Sequence, residues 1–118
     1  MQRNILAALS LALMAGCSSL PSADSKVVSL GSMKHIEVNT MRVARENGFL
    51  TVKVELHNDS RKNRSMYYRF AWLGDDGYPV ADEEHWKSLT LYGTQTAYLP
   101  AIAPVPQATD FRLEVKTP

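Results

Sequence analysis

The 118-residue sequence predicts an all-β fold, two antiparallel sheets packed face to face, and three observations carry that reading. Apolar residues recur with period two in three separate runs, turn-forming residues divide those runs, and no segment of similar length holds the 3.6-residue spacing of an amphipathic helix. Six or seven short strands in about 90 residues, each apolar on one face, fit a sandwich. A small closed barrel is the competing architecture.

The opening segment stands apart from that fold. Residues 1–4 carry Arg3, residues 5–15 are apolar except for Ser10, and Gly16 and Cys17 follow, in the order of a secretory signal. An apolar run of 11 residues is too short for a membrane helix, which takes roughly 20. The residues Met14, Ala15, Gly16 and Cys17 resemble the lipobox of bacterial lipoproteins, although Met14 stands where Leu is commoner. In that motif the cysteine sulfur receives a diacylglyceryl group, the chain is cut before it, and the new amine is acylated. The resemblance implies a signal peptide over residues 1–16, lipidation at Cys17, and a membrane held through that anchor. Residues 17–25 are then the lipidated terminus and a short polar tether containing Pro21. Ser18 is not the Asp that holds such lipoproteins in the inner membrane, so the implied place is the outer membrane, periplasmic face. Cys17 is the only cysteine, which leaves the rest of the chain without a thiol for catalysis, metal binding or a disulfide.

Residues 26–118 form the predicted sandwich domain, of a length that suits one core. The chain has 13 Lys plus Arg against 12 Asp plus Glu, and the signal segment takes Arg3 with it, leaving the remainder formally neutral. That balance argues against a nucleic-acid partner, which needs a clustered basic face.

Taken in order, a weaker strand is predicted over residues 34–43. In "FLTVKVELHN" Leu50, Val52, Val54 and Leu56 alternate with Thr51, Lys53, Glu55 and His57. The polar stretch 58–65 then connects to "MYYRFAW", where Met66, Tyr68, Phe70 and Trp72 share the inward face and Tyr67, Arg69 and Ala71 the outward one. "GDDG" at 74–77 is a tight turn. Weaker strands follow over residues 86–91 and 94–99. "DFRLEVK" closes the fold with Phe111, Leu113 and Val115 inward and Arg112, Glu114 and Lys116 outward. Pro79, Pro100, Pro104 and Pro106 limit ladder bonding near them.

The series "GFLTVKVELHN", "YYRFAWLGDDG", "LTLYG" and "IAPVPQATDFRLEV" resembles the YcfL family of predicted periplasmic lipoproteins, a domain of unknown function from Gram-negative bacteria. The most specific piece is Tyr68, Arg69, Phe70 and Trp72 followed by Asp76 and Gly77. The resemblance implies an immunoglobulin-like sandwich and a lipidated N-terminus, and it carries over no catalytic residue.

Chemistry is sparsely written in the chain. Asp75, Asp76, Asp82, Glu83 and Glu84 cluster around a turn, yet their spacing lacks the alternating ligands of a calcium loop, so a solvated acidic loop is expected and no metal. His35, His57 and His85 share no zinc-ligand spacing. No Gly-x-Ser-x-Gly elbow or phosphate loop selects a hydrolase constellation. No cofactor and no enzymatic activity are expected. Tyr67 and Arg69, outward on their strand, and Trp86, at a sheet edge or capping the sandwich end, are the candidate partner-binding residues. The expected function is a protein-interaction or structural module with a periplasmic protein partner, accessory to envelope assembly. The alternative is a glycan-binding module stacking sugars on Tyr67, Trp86 or Tyr92, and a small envelope hydrolase ranks below both.

Overall fold

The structure, a computed structural model, describes residues 26–118. The signal-peptide, lipidation and tether readings on residues 1–25, Cys17 among them, lie outside the described residues. Seven strands follow in order: β1 Val27–Ser29, β2 Ile36–Glu46, β3 Phe49–Asn58, β4 Arg64–Leu73, β5 Lys87–Leu91, β6 Thr96–Ile102 and β7 Asp110–Lys116. They form one sheet ordered β1-β7-β4-β5 and a second ordered β2-β3-β6. Two separate sheets make a sandwich and exclude the closed barrel. Among the described residues no helix is long and apolar enough to cross a membrane.

The three alternating runs behave as their period requires. Leu50, Val52, Val54 and Leu56 of β3 are buried against Met66, Phe70 and Trp72 of β4 and Phe111, Leu113 and Val115 of β7 in one cluster. Tyr68 departs from its expected full burial: it is half-buried, with Lys87 Nζ 5.8 Å from its ring. Phe70 stacks on Trp72 at 5.4 Å and both rings tilt against Phe111. Aromatic groups of this size dominate the burial available to a small sandwich.

β2 and β3 form a hairpin whose loop is only Asn47 and Gly48, both with positive φ (53° and 85°), between the paired residues Glu46 and Phe49. Positive φ at both central positions is the type I′ turn, which matches the twist of the flanking strands and favours Asn-Gly. β2 thereby runs three residues beyond the expected end at Val43. Its register shifts between Val38 and Thr40, so Ile36 and Val38 point inward on one side of the bulge and Met41 and Val43 on the other.

One pairing is parallel. β1 lies beside β7 with Val27 opposite Leu113 and Ser29 opposite Val115, whereas the other four pairings are antiparallel. The wholly antiparallel sheets expected from sequence are corrected to that extent. A three-residue strand shows no period of its own, and only its position beside the C-terminal strand defines it.

A polar node fixes the loops at one end. Asn58 is fully buried, and its Nδ2 donates to the carbonyls of Lys62, Leu91 and Tyr92 while its Oδ1 accepts from the Ser60 amide and hydroxyl. One amide side chain thus satisfies backbone groups of two connections that would otherwise be orphaned. Gly93 sits in the same junction, where a Cβ would lie 2.3 Å from the Arg61 carbonyl oxygen, so no larger residue fits.

Candidate functional site

The outward face of β4 meets that of β7 through cross-strand register. Arg69 stands opposite Glu114 and Tyr67 opposite Lys116. Arg69 Nε donates to Glu114 Oε1 at 2.6 Å and its Nη2 pairs with Glu83 Oε2 at 3.2 Å. The bond to Glu114 outweighs the cost of burial and, with both carboxylates, raises the guanidinium above its ordinary range, so it stays a cation.

Trp86, one residue ahead of β5, folds back over this face. Its ring centroid lies 4.2 Å from Arg69 Cζ and 4.3 Å from Lys116 Nζ, and Lys116 Nζ is 5.9 Å from the Tyr67 ring. The three residues singled out from sequence, Tyr67, Arg69 and Trp86, are therefore brought together. Trp86 is half-buried against the outer face of the sheet and does not cap a sandwich end. Sequence reasoning missed Lys116, Glu114 and Glu83 as members. Their outward alternation was visible, but nothing local said that β7 lies beside β4.

Glu84 holds the segment in place. Beyond Tyr68 the β4 edge has no β5 residue opposite it, and Glu84 reaches that edge: Oε1 accepts from the Phe70 backbone N–H and Oε2 from Trp72 Nε1–H, both at 3.0 Å. Val80 N–H donates to the Trp72 carbonyl at 3.0 Å. The expected solvated acidic loop is right for exposed Asp75, Asp76, Asp82 and Glu83 but not for Glu84, whose side chain is 24% exposed. Between this segment and the sheet lies a groove of about 450 Å³ lined by Arg69, Pro79, Asp82, Glu83, Arg112 and Glu114.

Other titratable groups are dispersed. Among the described residues no group of three or more His, Cys, Asp or Glu side chains is placed to hold a metal. His35 Nδ1 lies 2.9 Å from Asp59 Oδ1, and this bond is the main influence holding the Asp59 carboxyl below its usual range. His57 Nδ1 lies 3.0 Å from Thr96 Oγ1, on the other sheet face. Tyr92 is 60% exposed after β5, away from the Trp86 cluster.

One residue ahead of β1, Lys26 Nζ lies 2.6 Å from Asp110 Oδ1. Burial pushes the Asp110 carboxyl up, but the Lys26 and Phe111 N–H bonds and the charges of Lys26 and Arg112 together hold it below the usual range. A carboxylate depressed in the folded state adds stability above its unfolded pKa of about 4 and loses it as pH falls through the folded value. Asp110→Asn is therefore expected to lower stability by about half a kcal/mol at neutral pH, a figure discounted for solvent screening. The gap to the unsubstituted protein closes below about pH 4, and a gap that widened there in urea titrations would reverse the assignment.

A family model described as "Protein of unknown function (DUF1425)" matches residues 23–117. The chain belongs to this family. A solved DUF1425 family member from Shewanella sp. pv-4 is 31% identical, with a TM-score of 0.65 over 70% of this chain and 78% of that one. The crystal structure of Campylobacter jejuni cj0090 is 26% identical, with a TM-score of 0.66 over 79% of this chain and 98% of that one. No curated protein matches the chain. The DUF1425 match begins three residues before the first described residue and takes in every strand, so the Trp86 cluster lies wholly within the family domain.

Proposed function

We propose that this DUF1425 protein is a lipid-anchored component of the bacterial envelope, held through Cys17 at the periplasmic face of the outer membrane, whose sandwich docks a periplasmic partner protein through Tyr67, Trp86 and Lys116. The observation that carries the docking reading is the Trp86 ring with two cations within 4.3 Å of its centroid. Aromatic and Arg side chains already ordered by their neighbours add contact at small entropic cost, which is the usual make-up of an interface centre. The lipobox-like Met14 to Cys17 run and the likeness to the YcfL family of predicted periplasmic lipoproteins support the location.

Face docking suits this molecule better than addition of a strand to an edge. β6 carries Pro100 in mid-strand, β2 is bulged between Val38 and Thr40, and Glu84 fills the β4 edge beside β5. Each of these blunts an edge against pairing. Sugar stacking on Trp86 is disfavoured because the ring is half-buried and two cations, Arg69 and Lys116, both lie within 4.3 Å of its centroid.

The test places a photoreactive residue at Tyr67 of the full chain in cells, with one at Tyr92 as the control. A discrete envelope-protein adduct is expected from position 67 that Lys116→Glu abolishes, and Cys17→Ser is expected to remove both the acyl mass and the outer-membrane fractionation. Equal adducts from both positions would refute the docking face. Retention in the outer membrane without an acyl chain would refute the anchor.

A further inference from the structure

The outer face of the β2-β3-β6 sheet carries a second constellation, on the opposite side of the sandwich from Trp86. Register places its members side by side: Thr40 and Arg42 of β2 stand opposite Glu55 and Lys53 of β3, and Tyr98 of β6 stands opposite Glu55 from the other side. These five residues line a cavity of about 360 Å³, within the range of small-ligand sites. Tyr98 is 56% exposed, and Lys53 Nζ lies 5.5 Å from its centroid. Glu55 receives the Asn39 amide at 3.3 Å and the Thr40 hydroxyl at 3.5 Å. Among the described residues no ion pair includes Arg42 or Lys53.

We infer that this face binds a saccharide bearing a carboxylate. The exposed ring of Tyr98 offers an electron-rich surface to the C–H groups of a pyranose. Arg42 and Lys53, free of internal carboxylate partners, supply charge-assisted donors to an acidic group beside it. Glu55 and the Thr40 oxygen accept from sugar hydroxyls and Arg42 and Lys53 donate to them, so the hydroxyls meet both kinds of partner they need. An acidic peptide fits less well, since it brings few hydroxyl donors to satisfy Glu55. The site is separate from the Trp86 cluster and does not depend on a protein docking there.

The experiment is an NMR titration of the full chain in detergent with three probes: the disaccharide of N-acetylglucosamine and N-acetylmuramic acid, uncharged di-N-acetylchitobiose, and a glutamate hexapeptide. The acidic disaccharide is expected to bind in the range of about 1 mM or tighter, about tenfold better than its neutral counterpart. Shifts should centre on Tyr98 and Lys53. Tyr98→Ala, and separately Arg42→Gln with Lys53→Gln, should each weaken binding by about tenfold, while Tyr98→Phe retains it. All three positions are outward on the sheet, and the melting temperature of each variant should match the unsubstituted protein. No binding up to about 10 mM, equal affinity for the two sugars, a hexapeptide that binds as well, or binding that survives Tyr98→Ala would each overturn the inference.

Discussion

Trp72→Ala is expected to destabilise the protein by about 3–5 kcal/mol, the range for removing a large buried aromatic. Trp72 is 2% exposed, stacks on Phe70 at 5.4 Å and contacts Phe111, so its loss opens the middle of the core and not its margin. It also removes the Nε1–H that Glu84 accepts, which leaves one carboxylate oxygen facing the sheet without its donor. The total stability of a small domain is about 5–15 kcal/mol, so the variant sits near the threshold of folding. Urea and thermal unfolding provide the measurement, with an expected fall in melting temperature of more than about 10 °C. Trp72→Phe keeps most of the volume and should recover part of the loss. An Ala variant that melts with the unsubstituted protein would reverse the face assignment of β4, and with it the outward placement of Tyr67 and Arg69.

The face assignment was legible because a period of two needs no knowledge of the partner strand. Leu50 to Leu56, Met66 to Trp72 and Phe111 to Val115 each declare an inner and an outer face from local pattern alone, and all but half-buried Tyr68 lie in the core. β2 was blurred by its bulge: strict alternation counted from Ile36 puts Thr40 and Arg42 inward, against their chemistry. The end of β2 was nevertheless written in the sequence. Asn47-Gly48 between two extended runs is the strongest short-range hairpin signal, and weighing it would have carried the strand to Glu46.

The candidate site divides along the same line. That Tyr67 and Arg69 face outward follows from alternation, whereas their company does not. Lys116 and Glu114 join them only because β7 pairs with β4 across 45 residues of chain, the distance in sequence from Arg69 to Glu114. Trp86 joins because Glu84, two residues earlier, is drawn to an unpaired stretch of strand edge. No local pattern distinguishes Glu84 from the four acidic residues that stay in solvent, since its role depends on two donors presented by a distant strand.

That role makes Glu84→Ala the second large expected effect, about 2–4 kcal/mol. The Phe70 amide and the Trp72 indole N–H would both lose their acceptor while their residues remain 2% exposed, and each buried unsatisfied donor costs about 1–3 kcal/mol. Glu84→Gln separates geometry from charge. Its single carbonyl oxygen can serve one donor, but the amide nitrogen then meets the other donor as a second N–H group, so Gln is expected to fall between Glu and Ala. The change also bears on the proposed docking face, because the same residue's carbonyl receives Arg69 Nη1 at 3.5 Å and its backbone leads directly to Trp86. Releasing the carboxylate should therefore loosen Trp86 from Arg69 and Lys116 before the core itself opens. Hydrogen exchange of the Phe70 amide and of the Trp72 and Trp86 indoles reads this order. Faster exchange at Phe70 and Trp72 with global stability lowered is the expected result, accompanied by weaker crosslinking from position 67. Protected exchange at both donors in the Ala variant would mean that some other group accepts them, and Glu84 would then be no more than a member of the acidic loop.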